Sequence, residues 1–148
     1  MNYKTEWDLS HIYKGDPKKG SAKDCASLKK AYSAFAKKYK KDKRHLKNPK
    51  VLAKAIEEYE DMAKNPAGTR PDYYFEYKAA LNSEDNEAQA EIAKLSDFYA
   101  NLANEVEFFI LEISKIPKDL QNKFLKSKEL APFKYFLRKL FENARYRL

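Results

Sequence analysis

The chain has 148 residues, 43% of them hydrophobic and 14% aromatic, which is enough for one domain with a substantial core and argues against disorder. Thirty Lys and Arg against 22 Asp and Glu give a net charge of +8, which raises the question of an anionic partner. A single cysteine, Cys25, excludes an intrachain disulfide framework and fits a reducing compartment. Residues 1–7 have no apolar signal core, and no stretch approaches about 18 uncharged apolar residues, so we expect a cytoplasmic protein with no membrane partner.

The composition predicts an almost wholly helical, all-α protein. Only three Gly and six Pro are present, and no segment alternates Val, Ile or Thr with polar residues. Residues 7–13 (Trp-Asp-Leu-Ser-His-Ile-Tyr) hold four large apolar side chains, so we expect this terminus to be tied down on the protein body. Residues 15–17 (Gly-Asp-Pro) then break the chain before a first helix, which has Ser21 as its predicted N-cap and runs to about Lys41.

The next signals predict a helical hairpin. Asn48 is a candidate N-cap and Pro49 suits the first helical position, so a second helix should begin there. The short polar turn before it implies that the first two helices are antiparallel. Their predicted apolar faces are Leu28, Tyr32, Phe35 and Tyr39 on the first helix, and Leu52, Ile56, Tyr59 and Ala63 on the second.

A long fourth helix is the element around which the helical hairpins are expected to pack. It should run from Ser83 to Ile116, started by a cap at Ser83 or Asp85 and stopped by Pro117. Over that range it would be about 50 Å long. Its apolar residues recur at alternating intervals of three and four, which is typical of a buried helical seam. They are Ile92, Leu95, Tyr99, Leu102, Val106, Phe109 and Ile113.

Three shorter helices complete the prediction of about six. Residues 65–71, with two prolines and a glycine, form the clearest loop, and Pro71 can open a third helix that extends to about residue 81. A fifth helix is expected over residues 117–127, and Pro132 opens a sixth. The sixth has an unbroken amphipathic pattern, formed by Phe133, Phe136, Leu137, Leu140, Phe141 and Ala144.

Residues suited to catalysis or metal binding are sparse. His11 and His45 are the only histidines, and neither has a metal-ligand pattern around it, so we expect each to be a surface or capping residue. Cys25 lies near a helix start, which can lower a thiol pKa, but no histidine is close in sequence, so a structural or simply exposed thiol is expected. The sequence has no phosphate-cradling or nucleophile-elbow motif. We therefore predict no catalytic, cofactor-binding or metal-binding residue in this chain.

Three clusters have a possible binding role. Residues 37–44 (Lys-Lys-Tyr-Lys-Lys-Asp-Lys-Arg) could contact phosphates, although a solvated helix end is the preferred interpretation. The aromatic residues within 73–77 could stack bases or line a peptide channel, or simply pack a hairpin. The carboxylates Glu105, Glu107 and Glu112 are spaced like those of di-iron bundles but lack any Glu-x-x-His.

Three segments resemble the N-terminal helical domain of oligoendopeptidase F and its relatives, the thimet-oligopeptidase-like zinc metallopeptidases. Residues 7–13 are similar to the family's W-D-L-S/T-D-L-Y/F start, with His11 where an acidic residue is usual. Residues 77–111 are similar to its long helix, here with Glu-Val-Glu-Phe-Phe-Ile-Leu-Glu at 105–112. Residues 130–148 are similar to the L-x-x-Y/F-x-x-x-L … Y-x-L segment that precedes the catalytic part, whereas residues 15–69 are the least family-like.

The resemblance implies that residues 1–148 are a single helical domain, the non-catalytic N-terminal portion of a larger enzyme that hydrolyses oligopeptides. The implied partners are the C-terminal catalytic domain of the same polypeptide and the oligopeptide substrates of the full enzyme. The family's zinc cofactor and H-E-x-x-H site would lie in that catalytic domain. The implied role of this chain is to wall or lid a channel that admits short, unfolded peptides.

Two other interpretations stay open. A free-standing basic helical protein would bind nucleic acid through residues 37–44, with an affinity that falls steeply with salt, although nucleic acid is the less favoured partner. A helical interaction module would present residues 108–113 or 133–141 to a protein partner.

Overall fold

A computed structural model describes residues 9–144 of the chain. Within that range the fold is all-α, with no strand, which confirms the predicted class and the expected number of helices. Trp7 and Asp8 of the opening segment, and residues 145–148 of the predicted C-terminal segment, lie outside the described residues. The helices are α1 (Pro17–Lys41), α2 (Pro49–Ala63), α3 (Arg70–Leu81), α4 (Asn86–Ser114), α5 (Lys118–Leu125) and α6 (Lys134–Ala144).

Helix α1 begins at Pro17, earlier than the predicted N-cap at Ser21. Asp16 provides the cap, because its Oδ1 accepts a hydrogen bond of 2.9 Å from the backbone N–H of Lys18. Pro17 then occupies the first helical position, where an N–H has no partner inside the helix. Ser21 is buried within the helix, so the predicted cap was wrong. The Asp-Pro pair marks the start of a helix and not only a break in the chain.

Helix α4 begins at Asn86 and not at Ser83. The Asp85 side chain is the cap, since its Oδ1 accepts a hydrogen bond of 3.0 Å from the N–H of Ala88. The helix ends at Ser114, before the predicted end. Its 29 residues span about 43 Å, so it is shorter than expected but is still the longest helix in the described part of the chain.

The boundaries of the other helices were predicted to within a few residues. Helix α2 begins at Pro49 as expected, with Asn48 Oδ1 accepting a hydrogen bond of 2.9 Å from the N–H of Lys50. Helix α3 begins one residue before Pro71. Pro132 lies in a 3-10 turn, Ala131–Phe133, and helix α6 starts only after it.

The described chain divides into two compact units, each built from two separate stretches of sequence. Within the described range, the first unit comprises residues 9–31 and 64–103, and the second comprises residues 32–63 and 104–144. The divisions after residues 31 and 103 fall inside α1 and α4, so both long helices contribute residues to each unit.

In the first unit, the opening segment packs onto helices α1, α3 and α4. The cluster of buried core residues consists of Tyr13, Tyr74, Phe75 and Leu95. Leu9 and Ile12 pack against this cluster, as expected for the part of the opening segment that the structure describes. The Tyr13 ring lies so close to Gly20 that a Cβ at that position would collide with it. Glycine is therefore required there, although it weakens a helix interior.

In the second unit, Phe109 of α4 lies at the centre of an aromatic cluster. Its ring centroid is 5.0 Å from that of Phe35, 5.5 Å from Tyr39, 5.4 Å from His45 and 5.4 Å from Tyr59. Phe35 and Tyr59 also contact each other across the predicted α1–α2 hairpin, at 5.8 Å. The second half of the predicted α4 seam is therefore true core, and Phe109 is fully buried.

Candidate functional site

The loop before α3 is folded into a compact turn that fixes where α3 begins. Asn65 Oδ1 accepts a hydrogen bond of 3.0 Å from the N–H of Ala67 and caps the 3-10 turn Pro66–Gly68. The Thr69 hydroxyl donates to the Pro66 carbonyl at 3.3 Å. Two prolines and these bonds restrict the backbone, so the first side chains of α3 are presented from a well-defined turn.

These side chains form one wall of a groove with a volume of about 410 Å³. Tyr73 and Tyr77 lie one helical turn apart and are 54% and 42% exposed. Their rings are nearly parallel, with centroids 6.2 Å apart and an interplanar angle of 20°. The groove thus has an aromatic face that is open to solvent. Its lining residues are His11, Ile12, Pro66, Thr69, Arg70, Tyr73 and Tyr77.

Arg70 adds a positive charge to the groove and is held from behind by a buried carboxylate. Its Nη1 donates to Asp24 Oδ1 at 3.3 Å, while the Tyr13 hydroxyl donates to Asp24 Oδ2 at 2.7 Å. Asp24 is buried, but Arg70 is only partly buried. Burial, together with the hydrogen bond to Asp24, raises the pKa of Tyr13 far above its ordinary value. The network therefore fixes the guanidinium of Arg70 at the edge of the groove.

His11 connects this groove to a second cavity of about 650 Å³ in the same unit, because its side chain lines both. The second cavity is formed by the opening segment and by the start of α1, and Tyr74 closes one side. His11 is exposed, as predicted. The opening segment therefore takes part in the groove and not only in the core.

The groove is lined by groups that are suited to binding. Aromatic faces, a proline and a partly exposed guanidinium are groups that contact the side chains, backbone and carboxylates of an extended peptide. Cys25, the single thiol, packs against the core of the first unit, and burial raises its pKa. The possibility that a helix start lowers its pKa is therefore excluded, because α1 begins well before it.

The predicted aromatic cluster at residues 73–77 is divided between two faces of α3. Tyr74 and Phe75 point into the core, whereas Tyr73 and Tyr77 line the groove. The sequence therefore predicted this site only in part. Arg70 was missed, although residues 70, 73 and 77 fall on one face of a helix that begins at Arg70. The connection to Asp24, 46 positions away, had no signal in the sequence.

The predicted carboxylates of α4 do not converge on a metal. Glu105 accepts a hydrogen bond of 2.9 Å from the Ser33 hydroxyl, and Glu112 forms an ion pair of 2.7 Å with Lys43. Glu107 is exposed. Residues 9–144 contain no group of three or more His, Cys, Asp or Glu side chains that could hold a metal ion.

In the same range, none of the helices is long and apolar enough to cross a membrane.

His45 was predicted to be a surface or capping residue, and this was wrong, because it is fully buried. Its ring stacks on Phe109 and meets the edge of Tyr39 at 5.1 Å. Neither ring nitrogen has a hydrogen-bond partner among the described residues. Burial lowers the pKa of His45, and the nearby Glu112 carboxylate opposes this lowering to a smaller extent.

The basic run 37–44 is divided between two places. Lys38 and Arg44 line a small pocket at the junction of α1 and α2. Lys40 and Lys43 lie instead over the ring of Phe108, each at 5.2 Å. The lysines and arginine of the run are therefore not all gathered at one pocket.

Comparisons of the chain with protein-family models, with curated proteins and with solved structures each found no match. Function is therefore inferred from the chemistry of the groove and from the resemblance in sequence.

Proposed function

We propose that this chain is the N-terminal, non-catalytic helical domain of an oligoendopeptidase F-like zinc metallopeptidase, and that the groove beside α3 contacts oligopeptides. The observation that carries the peptide contact is the pair of exposed, stacked tyrosines beside the fixed guanidinium of Arg70. The all-α order of helices is compatible with the resemblance at residues 77–111.

The role proposed for this chain is peptide positioning. In enzymes of this class, zinc polarises the scissile carbonyl and activates a water molecule. The described residues hold no group that fits such an ion. The proposed contribution is a wall that favours short, extended peptides, because a folded protein cannot lay its backbone along a groove of about 410 Å³.

Binding of a short, unstructured peptide labelled with fluorescein tests the groove, with fluorescence anisotropy as the measurement. The double variant Tyr73→Ala/Tyr77→Ala removes both aromatic contacts and is expected to weaken binding by about tenfold or more. Tyr135→Ala is the matched control, because Tyr135 is a 73% exposed tyrosine of the second unit. This variant is expected to leave the affinity unchanged. Equal losses of peptide affinity in both variants would show that the groove is not the peptide-binding site.

The peptidase assignment has separate tests. The coding sequence is expected to continue in frame beyond Leu148 and to contain H-E-x-x-H; a stop codon directly after Leu148 would contradict the assignment. The purified 148-residue chain is expected to leave a quenched fluorogenic peptide uncut, and zinc-dependent cleavage by this chain alone would overturn the non-catalytic role.

A further inference from the structure

We infer that the second unit holds a binding pocket for a compact, phosphate-bearing anion, formed where α1 ends and α2 begins. The pocket has a volume of about 270 Å³. Tyr39 and Val51 give it an apolar surface, and Asp42 is its one carboxylate. Its cationic lining comes from α1, from the turn after it and from α2, and consists of Lys38, Arg44, Lys50 and Lys54.

Two of these four cations are already partly neutralised. Lys38 forms an ion pair of 2.8 Å with Glu58, and Arg44 forms one of 2.7 Å with Asp42. In contrast, Lys50 and Lys54 form no ion pair with any carboxylate of the described residues. The pocket therefore keeps two exposed ammonium groups one helical turn apart, in the first turns of α2, where the helix dipole adds positive potential.

Glu129 and Glu58 are near enough to Lys50 and Lys54, respectively, for the lysine charges to help lower the pKa of each carboxyl, but neither carboxylate forms an ion pair with these lysines. Asp42 accepts hydrogen bonds from both Nε and Nη2 of Arg44, and these bonds lower the pKa of the Asp42 carboxyl. The negative charge of Asp42 is therefore paired with the guanidinium of Arg44. The remaining guanidinium nitrogen, Nη1, is then available to a second acceptor. Glu58 is occupied by Lys38 and by the Tyr39 hydroxyl, which donates to it at 2.7 Å.

The pocket is small, and only part of the basic run lines it, so both features favour a compact ligand. Lys40 and Lys43 contact Phe108 and do not line the pocket, so a long polyanion laid along residues 37–44 would not meet all the cations at once. Two or three linked phosphates, either free or at the end of a nucleotide, match several cations converging on one small volume. This pocket uses no residue of the peptide groove, so it does not depend on the proposed function.

Sodium tripolyphosphate is the probe, and isothermal titration calorimetry at low and at high salt is the measurement. The full chain is expected to bind tripolyphosphate, with an affinity that falls as salt is raised. The variant Lys50→Ala/Lys54→Ala is expected to weaken binding by about tenfold or more, since both unpaired ammonium groups are lost. Lys37→Ala/Lys41→Ala is the control of equal charge from the same basic run, and is expected to change the affinity by less than about threefold.

A single-stranded oligodeoxynucleotide with a 5′-triphosphate, compared with the same strand without it, distinguishes the source of the phosphates. Preference for the triphosphate end, lost in Lys50→Ala/Lys54→Ala, supports the pocket. Equal weakening of tripolyphosphate binding by the two double variants would show attraction by overall charge only and would overturn the inference. Absence of tripolyphosphate binding to the native chain at low salt would overturn it as well.

Discussion

In the first unit, the buried carboxylate of Asp24 is engaged on both oxygens, by the Tyr13 hydroxyl and by Arg70. In the second unit, His45 is more deeply buried, yet both of its ring nitrogens lack a hydrogen-bond partner among the described residues. The two units thus bury a polar side chain in opposite ways. One surrounds it with donors, and the other surrounds it with aromatic rings.

The difference follows from charge. A buried carboxylate without partners would be strongly unfavourable, so Asp24 is stable in its place only because a cation and a hydroxyl reach it. A neutral imidazole is itself an aromatic ring, and stacking on Phe109 offsets part of the loss of its hydrogen bonds to water. The first arrangement depends on specific partners, whereas the second depends on packing and on the imidazole ring being uncharged.

The largest expected effect comes from removing the centre of the aromatic cluster. Phe109→Ala leaves a cavity beside four other rings and should lower the free energy of unfolding by about 3–5 kcal/mol. Urea denaturation followed by circular dichroism measures it. Phe108→Ala is the control, because Phe108 is only partly buried and loses mainly its contacts with two lysines, for about 1 kcal/mol. Similar losses in the two variants would contradict the central position of Phe109.

An intermediate effect is expected from the polar network of the first unit. Asp24→Ala leaves the Tyr13 hydroxyl without its acceptor, and should lower the free energy of unfolding by about 2–3 kcal/mol. Tyr13→Phe alone should lower it by only about 1 kcal/mol. Because both variants break the same bond, the double variant should lose less than the sum of the two. Strictly additive losses would mean that the Tyr13–Asp24 bond contributes nothing.

The smallest effect is a dependence on pH that belongs to His45. Burial lowers its pKa in the folded chain, so the unfolded chain, with an ordinary pKa of about 6.5, binds the proton first as pH falls. Stability is unaffected above that pH and decreases below it, by up to about 1.4 kcal/mol per pH unit, until the folded pKa is reached. The charged neighbours are Glu112 and Asp42, which oppose this decrease, and Lys43, which strengthens it.

Urea denaturation between about pH 7 and about pH 5 measures this dependence. His45→Phe keeps an aromatic ring in the cluster and should have a shallower decline in stability than the native chain. His11→Gln changes the exposed histidine and should leave the decline unchanged. If the stability of His45→Phe declines with falling pH as steeply as that of the native chain, the buried imidazole is not the cause of the pH dependence.

The helices could be predicted from sequence because their signals are local. Asn48 and Pro49 marked the start of α2 correctly, and the seam that includes Leu102, Val106 and Phe109 is buried as its spacing indicated. The error at Ser21 arose because another cap residue, Asp16, lies a few positions before it, whereas at the start of α4 Asp85, one of the two predicted caps, is the actual one. In both cases an aspartate was the actual cap.

The groove and the buried polar groups were harder to predict because they depend on pairs far apart in sequence. His45 follows directly after a basic run, which suggests exposure, and its burial depends on Phe109, 64 positions later. Asp24 lies among lysines on α1, and nothing near it in the sequence indicates Arg70. The exposed side of α3, by contrast, could have been found from helical spacing, had Arg70 been placed inside the helix.

The way the chain alternates between its two units has a consequence for biosynthesis. The first unit needs residues 64–103 to complete the part begun by residues 9–31, and the second needs residues 104–144 to complete residues 32–63. A chain emerging from the ribosome would therefore carry Phe35, Tyr39 and Tyr59 without the ring of Phe109 that packs between them. The many lysines of α1 and their mutual repulsion would oppose aggregation of this nascent segment until residues 104–144 have been synthesised.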